Sequence, residues 1–232
     1  MTDIKVYSGG APKEALVVLT PQFEQRTGHK VHFTYAVISE LQKKLAAGDN
    51  PDMVFMPTPA IDALVKAGTL RAQPRAVLGS VGIGVIVRAG APRPDISTPE
   101  NFKTALLNAR AIVHANPNAT PSGAHLAKVT QELGIDAELQ SKLTYSNALD
   151  GGVERIAKGE AEMGIYPVSE VIAVKSVALV GLLPPALQSL IVYGAAVLTA
   201  SAAPEPAGAF IAFLTDTSHR SVWTDAGFEP PR

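Results

Sequence analysis

The sequence predicts an α/β protein of two lobes, with mainly parallel sheets, helices on both faces and a two-strand hinge. Three observations carry that expectation. Residues 4–68 alternate short apolar runs with helix-forming segments in a βαβαβα order, which makes parallel strands joined by helices. Residues 81–190 form a second block of the same kind. An uncharged apolar run at 190–200 then carries the chain back to the first block, so that two crossing strands form the hinge. The expected lobes are residues 1–80 plus 195–232, and residues 81–194.

Residues 4–7 read as a strand, and Ser8-Gly9-Gly10-Ala11 turns the chain into a helix with Pro12 at its start. Leu16, Leu19 and Phe23 form its apolar stripe; Pro21 should kink it and Gly28 should end it. Residues 31–35 form the next strand. Ser39, with Gln42 three residues on, has the capping-box form and opens a helix that Gly48 closes. After the Asn50-Pro51 turn, residues 52–56 form a third strand and 59–67 a short helix stopped by Gly68.

Residues 81–87 form an apolar run, read as one buried strand. Its Gly82-Ile83-Gly84 is not a dinucleotide loop, because no helix follows and the third glycine is missing. Thr98-Pro99-Glu100 starts a helix with Pro in the first position. Residues 111–113 form a buried strand, followed by the Asn116-Pro117-Asn118-Ala119 turn cluster. Thr120 caps the next helix, Pro121 suits its first position, and Leu126, Val129 and Leu133 share its face. Residues 143–146 are a short strand, and Asp150 caps a helix through residue 158. A strand at 161–166 leads into Pro167-Val168-Ser169-Glu170 at the head of a short helix. Strands at 177–183 and 190–200 precede helices at 206–214 and 218–226, with Phe210, Phe213 and Trp223 in the core.

Hydrophobic residues are 47% and charged residues 18%, which supplies a core and argues against disorder. The formal charge is -1 with no Lys/Arg cluster, so no nucleic-acid partner is expected. The chain has no cysteine, which excludes disulfides and thiolate chemistry. His29, His32, His114, His125 and His219 show no metal-ligand spacing, so neither metal nor cofactor is expected. Residues 176–204 carry no charge, but Gly181, Pro184-Pro185 and Gln188-Ser189 break them into two strand-length pieces, against a membrane span. No basic, then apolar, leader precedes the first strand. As it stands the sequence reads as cytoplasmic, and as periplasmic if a leader has been removed.

Ligands of such sheets bind beyond the carboxyl ends of strands. Three loops lie there in the first block, at residues 8–12, 36–39 and 57–59, and they offer Ser8, Gly9, Gly10, Ser39 and Thr58. In the second block the helix start at Pro121, Ser122 and Gly123 is an anion site by its free N–H groups and its dipole. Tyr166 and Ser169 follow the later strand. Each has a plainer reading: Ser39 and Ser122-Gly123 as caps, Gly9-Gly10 as a tight turn, and Glu170 as a helix-start carboxylate. His114 and His125 flank the central loop. They are either a strand-end residue and a solvated helix residue, or one of them pairs with a carboxylate or shuttles a proton. No GxSxG, P-loop or carboxylate dyad occurs.

Several segments, in order and spacing together, carry a family resemblance. They are Ile4-Lys5-Val6-Tyr7 before the Gly turn, Phe23-Glu24 with Thr27-Gly28, Tyr35-Ala36, and Pro51-Asp52-Met53-Val54-Phe55. Asn116-Pro117 with Pro121-Ser122-Gly123, the run from Ile156 to Ile165, Ser169-Glu170, and the late helix ending near Gly227-Phe228 complete the set. Together they resemble the type II periplasmic substrate-binding proteins, in their molybdate-binding-protein-like branch. The resemblance implies a two-lobed type II periplasmic-binding-protein fold, a small anionic ligand, a membrane permease as partner and a monomer. In that branch Ser hydroxyls of the first two loops, a backbone group at the central helix start and a Tyr near the later Ser-Asp hold the oxyanion. This sequence has Ala11 and Ile38 at the hydroxyl positions, and Pro167 at the Tyr position with Tyr166 beside it. A tetrahedral oxyanion short of donors is costly to desolvate. An organic carboxylate is therefore expected rather than molybdate or tungstate, with Ala11 and Ile38 against its carbon atoms.

Two functions follow. One is a solute-binding protein that closes two lobes on a small organic anion, for ABC-type uptake or sensing. The alternative is an isomerase on the same scaffold, similar to aconitate isomerase, which moves an allylic proton of an unsaturated tricarboxylate. His125, Glu170 and Tyr166 are its acid–base candidates.

Overall fold

The computed structural model describes residues 1–146 and 151–231. The chain divides into two compact units, Met1–Val81 with Val192–Arg232, and Gly82–Ile191. Unit 1 begins with β1 (Asp3–Ser8), α1 (Lys13–Thr27), β2 (Lys30–Tyr35), α2 (Ile38–Ala46), β3 (Met53–Pro57), α3 (Thr58–Lys66) and β4 (Leu70–Val81). Unit 2 holds β5 (Ile83–Arg88), α4 (Pro99–Asn108), β6 (Ile112–Ala115), α5 (Pro121–Glu132), α6 (Asp136–Leu139), β7 (Leu143–Ser146), α7 (Gly151–Ala157), β8 (Met163–Pro167), a 3-10 turn (Val168–Glu170) and β9 (Val177–Leu182). The chain returns to unit 1 through β10 (Ile191–Leu198), α8 (Pro204–Leu214), a second 3-10 turn (Thr217–His219) and α9 (Arg220–Asp225).

The unit 1 sheet has the order β2-β1-β3-β10-β4, with β1 parallel to β2 and β3, and β10 antiparallel to β3. The unit 2 sheet has the order β7-β6-β8-β5-β9, with β6 parallel to β7 and β8, and β5 antiparallel to β8 and β9. Each sheet thus has a parallel core of three strands and antiparallel additions. Crossover helices impose the parallel part. β5 and β10 enter without a helix before them and run the other way. In both sheets the first parallel strand is followed by its neighbour on one side, and the chain then returns on the other side. That creates a topological switch point between β1 and β3, and another between β6 and β8.

Several local expectations are corrected. Ser39 is not an N-cap: α2 starts one residue earlier, at Ile38, after an extended Val37 and without a side-chain cap. Burial of Ile38 sets that start. Pro12 is the N-cap of α1 and not its first residue, and the α1 helix runs on through Pro21 to Gly28. The 81–87 run is two strands, since Val81 ends β4 and Ile83 begins β5. The helix headed by Pro167 is only a three-residue 3-10 turn. Asp150, expected to cap α7, lies outside the described residues.

Phe23, Phe55 and Phe210 are fully buried and form an aromatic cluster, with Phe23–Phe210 centroids 4.7 Å apart. Trp223 is buried and donates its indole N–H to Leu214 at 2.9 Å. Phe213 is only half-buried, because the α8 stripe runs through Ala207, Phe210, Ile211 and Leu214; its ring lies against Phe23 and His219. No helix among the described residues is long and apolar enough to cross a membrane.

Asp52 joins three segments of unit 1. One carboxylate oxygen accepts the Lys5 N–H at 2.9 Å, and the other accepts the Ser201 hydroxyl at 2.7 Å and the Ala203 N–H at 3.0 Å. Asp52→Asn turns an amide donor toward one of these donors. The expected loss is about 2 kcal/mol in urea unfolding, the scale of one charge-assisted hydrogen bond; a change within error would contradict this account of the junction.

Candidate functional site

In unit 1 the candidate residues gather at the carboxyl ends of the parallel strands. Ser8 is in register with Tyr35 of β2 and Phe55 of β3, so the loops that follow lie side by side. Gly9 donates its N–H to Phe55 at 3.1 Å, and Ala36 donates to Ser8 at 3.2 Å. The buried Ser8 hydroxyl donates to the Gly9 carbonyl at 2.8 Å. The Gly10 carbonyl accepts from Lys13 at 3.0 Å. Ala11 and Ile38 are buried and apolar. Ser39 and Thr58 are half-buried near the starts of α2 and α3.

Tyr193 is a residue that sequence reasoning missed. It lies in β10, in register with Pro57, and is buried. A Cβ on Gly9 would stand 2.9 Å from the Ile38 side chain and 3.3 Å from the Tyr193 ring, so glycine is what lets these two close on the β1 loop. The residue type was visible within an apolar run, but only the register brings it to this loop.

In unit 2 the Thr120 cap forms as expected. Its hydroxyl oxygen accepts the Gly123 N–H at 3.1 Å, with Pro121 in the first helical position. This engages the Gly123 donor that the sequence offered to a ligand. Pro121 has no N–H, so among the described residues Ser122 keeps the one uncommitted donor of the first turn. Ser122 is buried, and its hydroxyl lies 3.4 Å from that of Thr120. Gly123 packs on the end of β6, where a Cβ would lie 2.7 Å from the Asn116 carbonyl oxygen.

The end of β8 holds the other candidates. Tyr166 and Ser169 are 2% and 1% exposed, and neither hydroxyl has a hydrogen-bond partner among the described residues. Burial pushes the Tyr166 phenol well above its usual range, and the Glu170 carboxylate adds to the effect. The phenol lies over the first turn of α7, where a Cβ on Gly152 would come within 2.9 Å of the Tyr166 ring carbon that bears the hydroxyl. Glu170 is half-buried. That burial raises its carboxyl to about 8.

The two histidines part company. His125 is half-buried and donates Nε2–H to the Leu187 carbonyl at 2.7 Å, which leaves Nδ1 as its basic nitrogen when neutral. His114 is buried beside Tyr145, ring edge to face at 5.0 Å, and its Nδ1 has no partner. Burial lowers its pKa to about 4, against a smaller opposite effect of the Ala115 backbone. His114 is therefore a neutral interior residue.

A cavity of about 820 Å³ in unit 2 lies elsewhere. It is lined by Arg88, Arg110, Glu162 and Met163, at the opposite strand ends from Ser122 and Tyr166. No group of three or more His, Cys, Asp or Glu among the described residues could hold a metal ion.

Two α/β units, each with polar and small residues at the carboxyl ends of its parallel strands, define a protein of the substrate-binding class. The chain belongs to the bacterial extracellular solute-binding protein family, whose model matches residues 4–229. It is 29% identical over 236 residues to the aconitate isomerase of a Pseudomonas species, covering 99% of this chain and 88% of that one. It is 25% identical to the molybdate-binding protein ModA of Mycobacterium bovis, covering 98% and 85%. The periplasmic molybdate-binding protein of Azotobacter vinelandii superposes with a TM-score of 0.84 at 20% identity, covering 99% of this chain and all of that one, which shows the shared fold.

Proposed function

We propose that the protein binds a small organic carboxylate rather than molybdate, as the solute-binding component of ABC-type uptake or sensing. It acts as a monomer and delivers its ligand to a membrane permease. The observation that carries this reading is the pair of buried hydroxyls on Tyr166 and Ser169, without a partner among the described residues, close in sequence to the acid Glu170. Buried polar groups are nearly always satisfied, so two orphans three residues apart at a strand end point to a partner that comes from outside the chain. In unit 1 the strand-end loops carry the apolar Ala11 and Ile38, where an inorganic oxyanion would need donors.

Melting temperatures in mono-, di- and tricarboxylates, molybdate and sulfate test the proposal. A carboxylate at about 100 times its Kd should add about 2.7 kcal/mol of stability; a shift with molybdate alone would overturn the reading. Tyr166→Phe should weaken the carboxylate about tenfold or more, the worth of a hydrogen bond to a charged group. It should leave the free protein at least as stable, because the deleted hydroxyl has no partner there.

A second reading is favoured by the 29% identity with aconitate isomerase across 99% of the chain. In it, the free Nδ1 of His125 takes a proton from the methylene carbon of an unsaturated tricarboxylate. Neutral Glu170 returns a proton at the far end of the allyl system, and Tyr166 holds a carboxylate. Proton exchange into aconitate in heavy water decides the matter, and exchange no faster than in buffer excludes this reading.

A further inference from the structure

We propose that Glu170 meets the ligand as an uncharged carboxylic acid and donates a hydrogen bond to a ligand carboxylate, which makes the site selective for di- and tricarboxylates. This inference rests on the assignment of Tyr166 and Ser169 above and deepens it.

Tyr166, Ser169 and Glu170 follow one another over the end of β8 and the 3-10 turn. The first two are buried with unpartnered oxygens, whereas Glu170 keeps contact with water and makes no hydrogen bond or ion pair among the described residues. No charged or titratable group among the described residues offsets its burial. Arg155 on α7 is tied to Glu160 at 3.4 Å. His125 on α5 is held by the Leu187 carbonyl, and His114 on β6 is neutral. Lys175, five residues further along, is exposed to solvent. An ionised Glu170 would be a half-buried charge without a partner among the described residues, and it would repel the anion that the neighbouring hydroxyls await. The protonated form has an O–H to give. Its rise to about 8 under burial agrees with that form at neutral pH.

Three O–H groups then follow one another within five residues at the end of β8, and one carboxylate has lone pairs enough for several of them. The uncommitted Ser122 N–H belongs to α5, which packs through Gly123 on the end of the adjacent strand β6. Anchors on both strands of the switch point call for a ligand with at least two carboxylates.

Calorimetric titration with succinate, which keeps both charges from pH 7 to 9.5, tests this. The wild-type protein should bind about tenfold more weakly for each pH unit above about 8, as linkage to one proton requires. Glu170→Gln, which retains a donor, should bind within about threefold of wild type at pH 7 and show no such slope; acetate should bind at least about a hundredfold more weakly than succinate. A flat or rising wild-type profile with binding intact overturns the inference and leaves the carboxylate reading standing. Should the variant fail to fold, the wild-type profile still decides. Failure of every carboxylate to bind at any pH overturns the functional reading itself.

Discussion

Gly123→Ala should cost about 3 kcal/mol of unfolding free energy and abolish ligand-induced stabilisation. The Cβ would fall against the carbonyl oxygens of Ala115 and Asn116, 2.7 Å from the latter. Both are backbone atoms at the end of β6, so no side chain can swing aside. Relief requires α5 to move off the strand, and overpacking of that kind costs about 1–3 kcal/mol, sometimes more. The same displacement pulls Gly123 away from the Thr120 hydroxyl and turns Ser122 from its position. Gly134→Ala is the control. Gly134 lies just beyond α5 with φ +66° and open space around it, so only backbone strain of about 1 kcal/mol applies and binding should persist. Urea unfolding of the two variants, with and without ligand, separates the effects; equal losses would contradict the close approach of α5 to β6.

Acidification should remove up to about 3 kcal/mol of stability between pH 6.5 and 4 through His114 alone. The unfolded imidazole takes up its proton near pH 6.5, while burial holds the folded one to about 4. In that window the unfolded state binds more protons, so stability falls as the pH falls; the contribution is complete above about 6.5. Glu170 acts in the opposite direction. Its folded carboxyl is raised from 4.5 to about 8, so its effect on stability is most favourable below 4.5 and is lost progressively as the pH rises to about 8. Between pH 4.5 and 6.5 the two slopes oppose each other and nearly cancel, so the free protein should be most stable there, losing stability through Glu170 above about 6.5 and through His114 below 4.5. His114→Phe leaves the Glu170 slope unopposed, so its stability should keep rising as the pH falls from about 8 to 4.5; it should exceed wild type at pH 5, since it also deletes a buried nitrogen without a partner among the described residues. Denaturant midpoints from pH 4.5 to 9 measure this; a variant profile as flat as that of wild type between pH 4.5 and 6.5 would mean that His114 does not oppose Glu170 there.

The parts of the site that depend on adjacent residues were legible in the sequence. The Thr120-Pro121 helix start is one, because a hydroxyl and an imino acid in succession define a cap within a single turn. Ser39-Gln42 has the same local form and misleads, because buried Ile38 brings the helix start forward. β4 escaped notice because Arg71, Gln73, Pro74 and Arg75 break any apolar pattern. It is the edge strand of its sheet, with an exposed middle, where proline and polar residues are tolerated. Tyr193 reaches the β1 loop only through strand register. The commitment of the Gly123 N–H to Thr120, and the isolation of Glu170, depend on which partners the fold brings near, and no spacing rule conveys that.

The order of the strands also bears on biosynthesis. Unit 2 is one uninterrupted stretch, Gly82–Ile191, with all five strands of its sheet encoded before Ile191. Unit 1 is not: β4 reaches the sheet only through β10, whose residues begin at Ile191. On the ribosome the first 81 residues must wait, the sheet position between β3 and β4 vacant, while the inserted unit is made. The half of the protein that is translated first is thus the half that matures last, and a nascent chain halted before β10 should depend on chaperones to shield the exposed edge of β3.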